Sequence, residues 1–139
     1  MILLDTNVVS EAMRHGAAKR VLHWLNVQDL RTLHLSTISL AELGYGIAVL
    51  PDRRRKADLS ARLDATVERV FAGRILAFDR TAAAAFSERM ATAWNAGRGV
   101  DFADGQIAAI AAAHRMIVAS RDVGPFQAMG VDVIDPWTA

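Results

Sequence analysis

The sequence predicts an α/β domain with a short, mostly parallel central sheet of about five strands flanked by helices. Three observations carry this. Short apolar runs recur along the chain, and longer stretches with apolar residues every three or four positions separate them. The first run, Met1-Ile2-Leu3-Leu4, ends abruptly in the carboxylate of Asp5, as a buried strand does when its carboxyl end opens into a site. Finally, 139 residues that are 53% hydrophobic suffice for one core and are too apolar for a disordered chain.

Residues 1–4 form the first strand, and Thr6 or Asn7 caps a short helix running to about Met13. His15-Gly16 breaks it. Ala17 to Asn26 is helical by spacing, with Val21, Leu22, Trp24 and Leu25 as its apolar stripe. Leu33-His34-Leu35 is the second strand. The hydroxyls of Ser36-Thr37-Ile38-Ser39 precede a helix from about Ser39, with Leu40, Leu43, Ile47 and Leu50 on one face. Pro51 separates it from a long amphipathic helix that opens on Arg53-Arg54-Arg55-Lys56, and Gly73 stops that helix. Ile75 to Phe78 is a strand. An Ala-rich helix follows from Thr81 to about Asn95, then a loop over residues 96–99. The next helix starts in Asp101-Phe102-Ala103-Asp104 and ends near His114. Met116 to Ala119 and Val131 to Ile134 are the last strands, and Asp135-Pro136-Trp137 closes the chain.

The bulk properties exclude several classes. There is no cysteine, so disulfides and thiolate metal sites are absent and a reducing compartment is the natural home. Met1 leads straight into a strand with no basic n-region or cleavage site, so no signal peptide is expected, and no apolar run approaches the roughly 20 residues of a membrane helix. A cytoplasmic protein with no membrane partner is expected. The net charge of +1 neither demands nor forbids a nucleic-acid partner, but acids gathered in one cleft would leave the remaining surface basic.

Asp5, Glu42, Asp104 and Asp122 each fall just after a strand or in the first turn of a helix. In a parallel sheet those places share one edge, so the four are expected to converge. Each also has a purely structural reading. Ser39-Leu40-Ala41-Glu42 is a capping box, Asp101 caps the helix that holds Asp104, and Asp122 is an ordinary turn residue. Helix dipoles favour first-turn acids by about 0.3–1 kcal/mol in any protein. Asp5 is the hardest to dismiss, because a strand end does not by itself require an acid. Convergent carboxylates repel one another by several kcal/mol at an effective dielectric near 20, so they need a cation or raised pKa values. All-oxygen donors suit Mg²⁺ or Mn²⁺, and His15, His23, His34 and His114 have no zinc-ligand spacing. A hard ion in an acidic cleft points to phosphate chemistry.

Two other readings compete. Asp5 is a phosphoryl-accepting nucleophile in a phosphatase or receiver-like enzyme. Against this, Asp5-Thr6-Asn7 lacks the second Asp of dehalogenase-type phosphatases, and the only lysines, Lys19 and Lys56, lie in helical segments. Alternatively the acids only cap helices in a non-catalytic interaction module. Among the basic residues, Arg98 and Arg121 lie nearest the expected cleft edge and are the candidates for nucleic-acid contact, ahead of the 53–56 run. Trp24, Trp94 and Trp137 read as core or interface residues.

The ordered set Leu4-Asp5-Thr6-Asn7, Ser39 with Glu42, Asp104 leading into Gln106-Ile107-Ala108-Ala109, Ala119-Ser120-Arg121-Asp122, and the closing Asp135-Pro136-Trp137 resembles a PIN domain. The likeness is to the VapC toxin type, near its FitB-like branch, and spans residues 1–139 as a single PIN domain. It implies a Mg²⁺- or Mn²⁺-dependent endoribonuclease acting as the toxin of a type II toxin–antitoxin pair. Asp5, Glu42, Asp104 and Asp122 would be the catalytic, metal-binding acids, and Thr6, Asn7 and Ser120 would support them. Asp122 occupies a position where the family often has Asn or Asp, so it would bind an ion weakly or only through water. The implied partners are RNA, a second copy of the chain, and a small DNA-binding antitoxin in a larger assembly. A weakly active or inactive module working mainly in an antitoxin–DNA regulatory complex is the alternative within the family.

Overall fold

A computed structural model describes residues 1–139. Strand β1 (Ile2–Leu4) occupies the middle of a five-stranded sheet, between β2 (Leu33–Ser36) and β4 (Ile117–Ala119). The edges are β3 (Ile75–Leu76) and β5 (Val133–Ile134), giving the order β3-β2-β1-β4-β5 with every pairing parallel. Leu4 is in register with Leu35 on one side and Ala119 on the other. The chain steps outward from β1 to β3 and then crosses to β4 on the opposite side. Adjacent strands β1 and β4 are therefore followed by connections that diverge, and a crevice opens at their carboxyl ends.

Alternation along β1 divides the core. Leu3 faces a cluster with Val118, Ile107, Ile110 and Phe126, built mainly on α6 (Phe102–His114) and α7 (Val123–Ala128). Leu4 faces the other cluster, with Val8 of α1 (Thr6–Ala12), Trp24 of α2 (Lys19–Asn26), Leu43 of α3 (Thr37–Ala48) and Leu63 of α4 (Arg53–Arg69). Burying each of these large side chains contributes about 1.5–3 kcal/mol. Helix α5 (Arg80–Asn95) packs closely on α6 at Gly105, where a Cβ would lie 2.8 Å from Met90 Sδ and 3.0 Å from Phe86. That glycine lets α5 and α6 approach closely.

Most elements lie where the pattern places them; the differences sit at their ends. Asp5, rather than Thr6 or Asn7, caps α1. Helix α3 begins at Thr37, two residues before the expected start, because Ser36 at the end of β2 is the cap and its hydroxyl accepts the Ser39 N–H at 2.9 Å. Leu50 lies beyond the helix end at Ala48. Asp52 caps α4 by accepting the N–H groups of Arg54 and Arg55, which makes a basic first turn tolerable. Strands β3 and β5 are only two residues long, so Phe78 and Val131 fall outside them. A single 3-10 turn at Leu30–Thr32 leads into β2. Trp24 is a core residue, whereas Trp94 is 77% exposed. No helix is long and apolar enough to cross a membrane.

Candidate functional site

The crevice is assembled from four connections. Asp5 ends β1 and is 4% exposed. Its Oδ1 accepts the Thr6 N–H at 2.7 Å, and its Oδ2 accepts the Ser120 hydroxyl at 2.6 Å. Its own N–H donates to the carbonyl of Ala119 at 2.9 Å, tying β1 to β4 at the edge of the sheet. The capping bond corrects one expectation: a strand that runs straight into a helix has a structural use for an acid at that point.

Ser120 is fully buried and is the hub of the β4 side. Besides donating to Asp5, its hydroxyl oxygen accepts the Asn7 amide at 3.1 Å and the Asp122 N–H at 3.0 Å. Asn7 Oδ1 in turn accepts the Arg121 N–H at 3.3 Å. The first turn of α1 and the loop after β4 are thus locked together around one carboxylate. Asp122 stands at the start of α7 and is exposed; it makes no side-chain cap bond.

Glu42 corrects a second expectation. The capping box with Ser39 does not form, because α3 starts earlier and Ser36 is the cap. The Glu42 carboxylate instead accepts the Thr6 hydroxyl at 2.8 Å, across from α1. Asp104 lies in the first turn of α6 and is half-buried. Asp101 takes the N-cap position there without a side-chain cap bond; only its carbonyl is used, accepting from Gly105 at 2.9 Å.

The charges of these groups act on one another. The Asp104 carboxyl is pushed up to about 6, first by burial and then by the negative charges of Asp5, Asp101, Asp122 and Glu42. Burial also pushes the Asp5 carboxyl up; the Ser120 hydroxyl and Thr6 N–H oppose this, and Glu42 and Asp122 reinforce it. No internal cation relieves the repulsion. The ion pairs of the molecule are Arg14–Glu11, Arg31–Asp29 and Arg62–Asp58, all outside this set. An all-oxygen donor set short of positive charge fits a hard divalent cation in its chemistry. As the side chains lie, no three acids stand close enough together to grip one ion.

Arg98 is exposed and its guanidinium reaches the Gly124 carbonyl at 3.4 Å, two residues past Asp122. Arg121 is exposed at the mouth of the crevice, with its guanidinium over the Trp137 ring. A groove of about 750 Å³ runs from Thr6 and Glu42 along α3, with a floor that includes Leu43, Ile47 and Leu59 and with His15 and Arg55 on its walls. Sequence reasoning missed this groove and set the 53–56 run behind Arg98 and Arg121. The short 49–52 connection, which folds α4 back beside α3, is the signal that points to it.

A parallel sheet whose switch point carries a charge-starved cluster of carboxylates defines an acidic-cleft α/β domain. Comparison with known proteins narrows that class. The sequence profile of the PIN domain matches residues 2–131. The chain is 48% identical to the plasmid stability protein StbB of Pseudomonas syringae pv. tomato over the full length of both. It is 44% identical to the VapC ribonuclease Y4jK of Sinorhizobium fredii, covering 99% of this chain and 98% of that one. The crystal structure of FitAcB from Neisseria gonorrhoeae superposes with a TM-score of 0.96 at 43% identity, covering all of both chains. The chain belongs to the PIN-domain family.

Proposed function

We propose that this protein is a divalent-metal-dependent endoribonuclease and the toxin of a toxin–antitoxin pair. The observation that carries the reading is the set Asp5, Glu42, Asp104 and Asp122 around one crevice, with Asp104 pushed up to about 6 and no arginine, lysine or histidine paired to any of the four. The 44% identity to a VapC ribonuclease supports RNA as the substrate class.

In this reading the four carboxylates would hold Mg²⁺ or Mn²⁺, with Asp122 contributing weakly or only through water. When bound, the cation neutralises charge on the phosphodiester and acidifies a water for attack. The chain's own residues do the rest. Thr6 and Ser120 fix both oxygens of Asp5, so the lone pairs left over point in a set direction. Asn7 holds Ser120 and the Arg121 main chain, which keeps the loop bearing Asp122 against α1. The carboxylates are the bases available to take a proton from the attacking water. Ser120 does not serve as a nucleophile, since its one proton is donated to Asp5 and its oxygen accepts two N–H groups. The same burial argues against a phosphoryl-Asp5 enzyme, because both oxygens are engaged and the residue is 4% exposed.

The groove beside Glu42, lined by Leu43, Ile47 and Leu59 with both basic (Arg14, Arg55) and acidic (Glu42, Asp58) side chains, supports docking of a segment of a small DNA-binding antitoxin. The exposed apolar side chains Tyr45, Val49, Trp94 and Phe102 are surface that a second copy in a homodimer would cover. One observation favours the alternative of a weakly active module in an antitoxin–DNA complex: Glu42 is engaged by Thr6, so the acids do not form a closed ligand set as they lie.

The test is cleavage of a structured RNA pool by purified antitoxin-free protein in Mg²⁺ or Mn²⁺, beside EDTA and Asp5→Asn controls. Cleavage that both controls abolish is expected. Folded protein that leaves the RNA intact in either metal overturns the nuclease reading and favours the regulatory one.

A further inference from the structure

Arg121 lies between Ser120 and Asp122, beside a crevice with excess negative charge, yet it pairs with none of the acids. Its guanidinium carbon lies 5.4 Å from the centroid of the Trp137 ring. Its backbone N–H is fixed by Asn7 at 3.3 Å. The platform under it is equally fixed. The Trp137 N–H donates to Asp135 Oδ1 at 2.9 Å, its carbonyl accepts Arg20 Nη1 at 3.5 Å, Pro136 before it is buried, and its side chain packs against the Leu4 face of the core.

An arginine left to swing beside four carboxylates would form a bidentate pair with one of them, and that pair would exclude both a cation and a phosphate. A cation–π contact with an indole holds the guanidinium without using a hydrogen bond, so the N–H donors of Arg121 stay uncommitted.

We propose that Trp137 is a positioning residue that holds the Arg121 guanidinium away from the acids so that Arg121 binds a backbone phosphate of RNA at the β4 side of the crevice. This rests on the ribonuclease reading. The cation–π contact, the absence of an ion pair and the anchoring of Trp137 from the end of the chain all serve that one arrangement.

The experiment measures binding of a fluorescein-labelled, mixed-sequence single-stranded RNA by anisotropy in EDTA across a salt series. Steady-state cleavage in Mn²⁺ is measured alongside, for the full chain and for Arg121→Ala, Trp137→Leu, Trp137→Phe and the Arg121→Ala/Trp137→Leu double variant. Loss of one phosphate contact in Arg121→Ala should weaken binding about five- to tenfold and flatten the log–log salt slope by about 0.7. Trp137→Leu should match it, Trp137→Phe should recover most of the loss, and the double variant should be no weaker than either single one. In cleavage the change should fall on KM rather than kcat. Arg121→Ala with unchanged affinity and slope overturns the proposal, as do multiplying losses in the double variant. Should Trp137→Leu fail to fold, the Phe variant and Arg121→Ala still decide: a Phe variant that loses as much as Arg121→Ala with an unchanged salt slope overturns the positioning role. RNA bound but never cut sinks the nuclease reading alone, whereas Asp104-dependent cleavage with an inert Arg121 sinks this proposal alone. A chain that neither binds RNA in EDTA nor cleaves it in Mn²⁺ overturns both.

Discussion

Asp104→Asn should make the metal-free protein more stable, although it removes one of the four acids. The Asp104 carboxyl rises from 3.8 to about 6 in the fold. At about 1.4 kcal/mol per pKa unit, that corresponds to roughly 3 kcal/mol of destabilisation when the group is ionised. Asp104 is only half-buried, and solvent screening reduces the figure to about 1–2 kcal/mol. Above pH 6 the native state holds a charge against burial and four negative neighbours, a penalty the unfolded chain does not carry. As pH falls through 6 the native state takes up a proton first and the penalty fades; below 3.8 both states are protonated and it is gone. Asparagine keeps the size of the side chain and removes the charge at every pH. Thermal denaturation in EDTA at pH 7.5 should therefore place the variant about 3–8 °C above the parent, with the gap closing by pH 4. Adding Mn²⁺ should reverse the order, since an ion that binds only the native parent stabilises it by about 2.7 kcal/mol at a hundred times its Kd. A variant no more stable than the parent at pH 7.5, or a gap unchanged at pH 4, would refute the reasoning.

Two further outcomes follow from single contacts. Ser120→Ala leaves Asp5 Oδ2, the Asn7 amide and the Asp122 N–H without their shared partner and should destabilise by about 1–3 kcal/mol. Because the Ser120 bond favours the ionised Asp5 carboxylate, the loss in urea denaturation should grow as pH rises through the raised Asp5 pKa, and a loss that does not change with pH would sink the assignment. Arg115 ends α6 in the left-handed region at φ 55°, so Arg115→Gly should stabilise by about 0.5–1 kcal/mol after the added entropy of the unfolded chain. A less stable Gly variant in the same assay would show that the Arg115 side chain outweighs its backbone strain.

The sheet and the places of the acids were legible because both depend on local pattern. Buried parallel strands are short apolar runs, and a residue at the end of such a run has a fixed address on the sheet edge. Helix starts were less legible where hydroxyls compete for the capping role. Residues 36–39 offer three of them, and the choice of Ser36 over Ser39 decides whether Glu42 serves its own helix or faces Thr6. Asp101 shows the reverse case: it stands at the cap position by spacing, yet its side chain makes no cap bond. The α3 groove and the Arg121–Trp137 stack were not legible, since each joins surfaces that only tertiary packing brings together.

The hydrogen bonding of the crevice separates two kinds of polar group. No buried side-chain nitrogen or oxygen lacks a partner, so the fold satisfies itself wherever burial is complete. Asp5 and Ser120, the deepest members, are inside that closed network and would hold their positions with or without a ligand. Asp104 and Asp122 carry charge without any partner of opposite sign, and they lie nearer the surface. A site built this way keeps its rigid half as part of the folded core and leaves its charge imbalance at the rim, where a cation from solution can reach it. Arg121 stands at that rim with the opposite charge and is held off by a ring rather than an acid. Had it paired with Asp122, the protein would be more nearly neutral there and more stable without metal, but both the cation and the phosphate would then have to displace it. In the proposed reading the excess of negative charge and the arginine held over the indole are two parts of one arrangement, one for an ion and one for an anion.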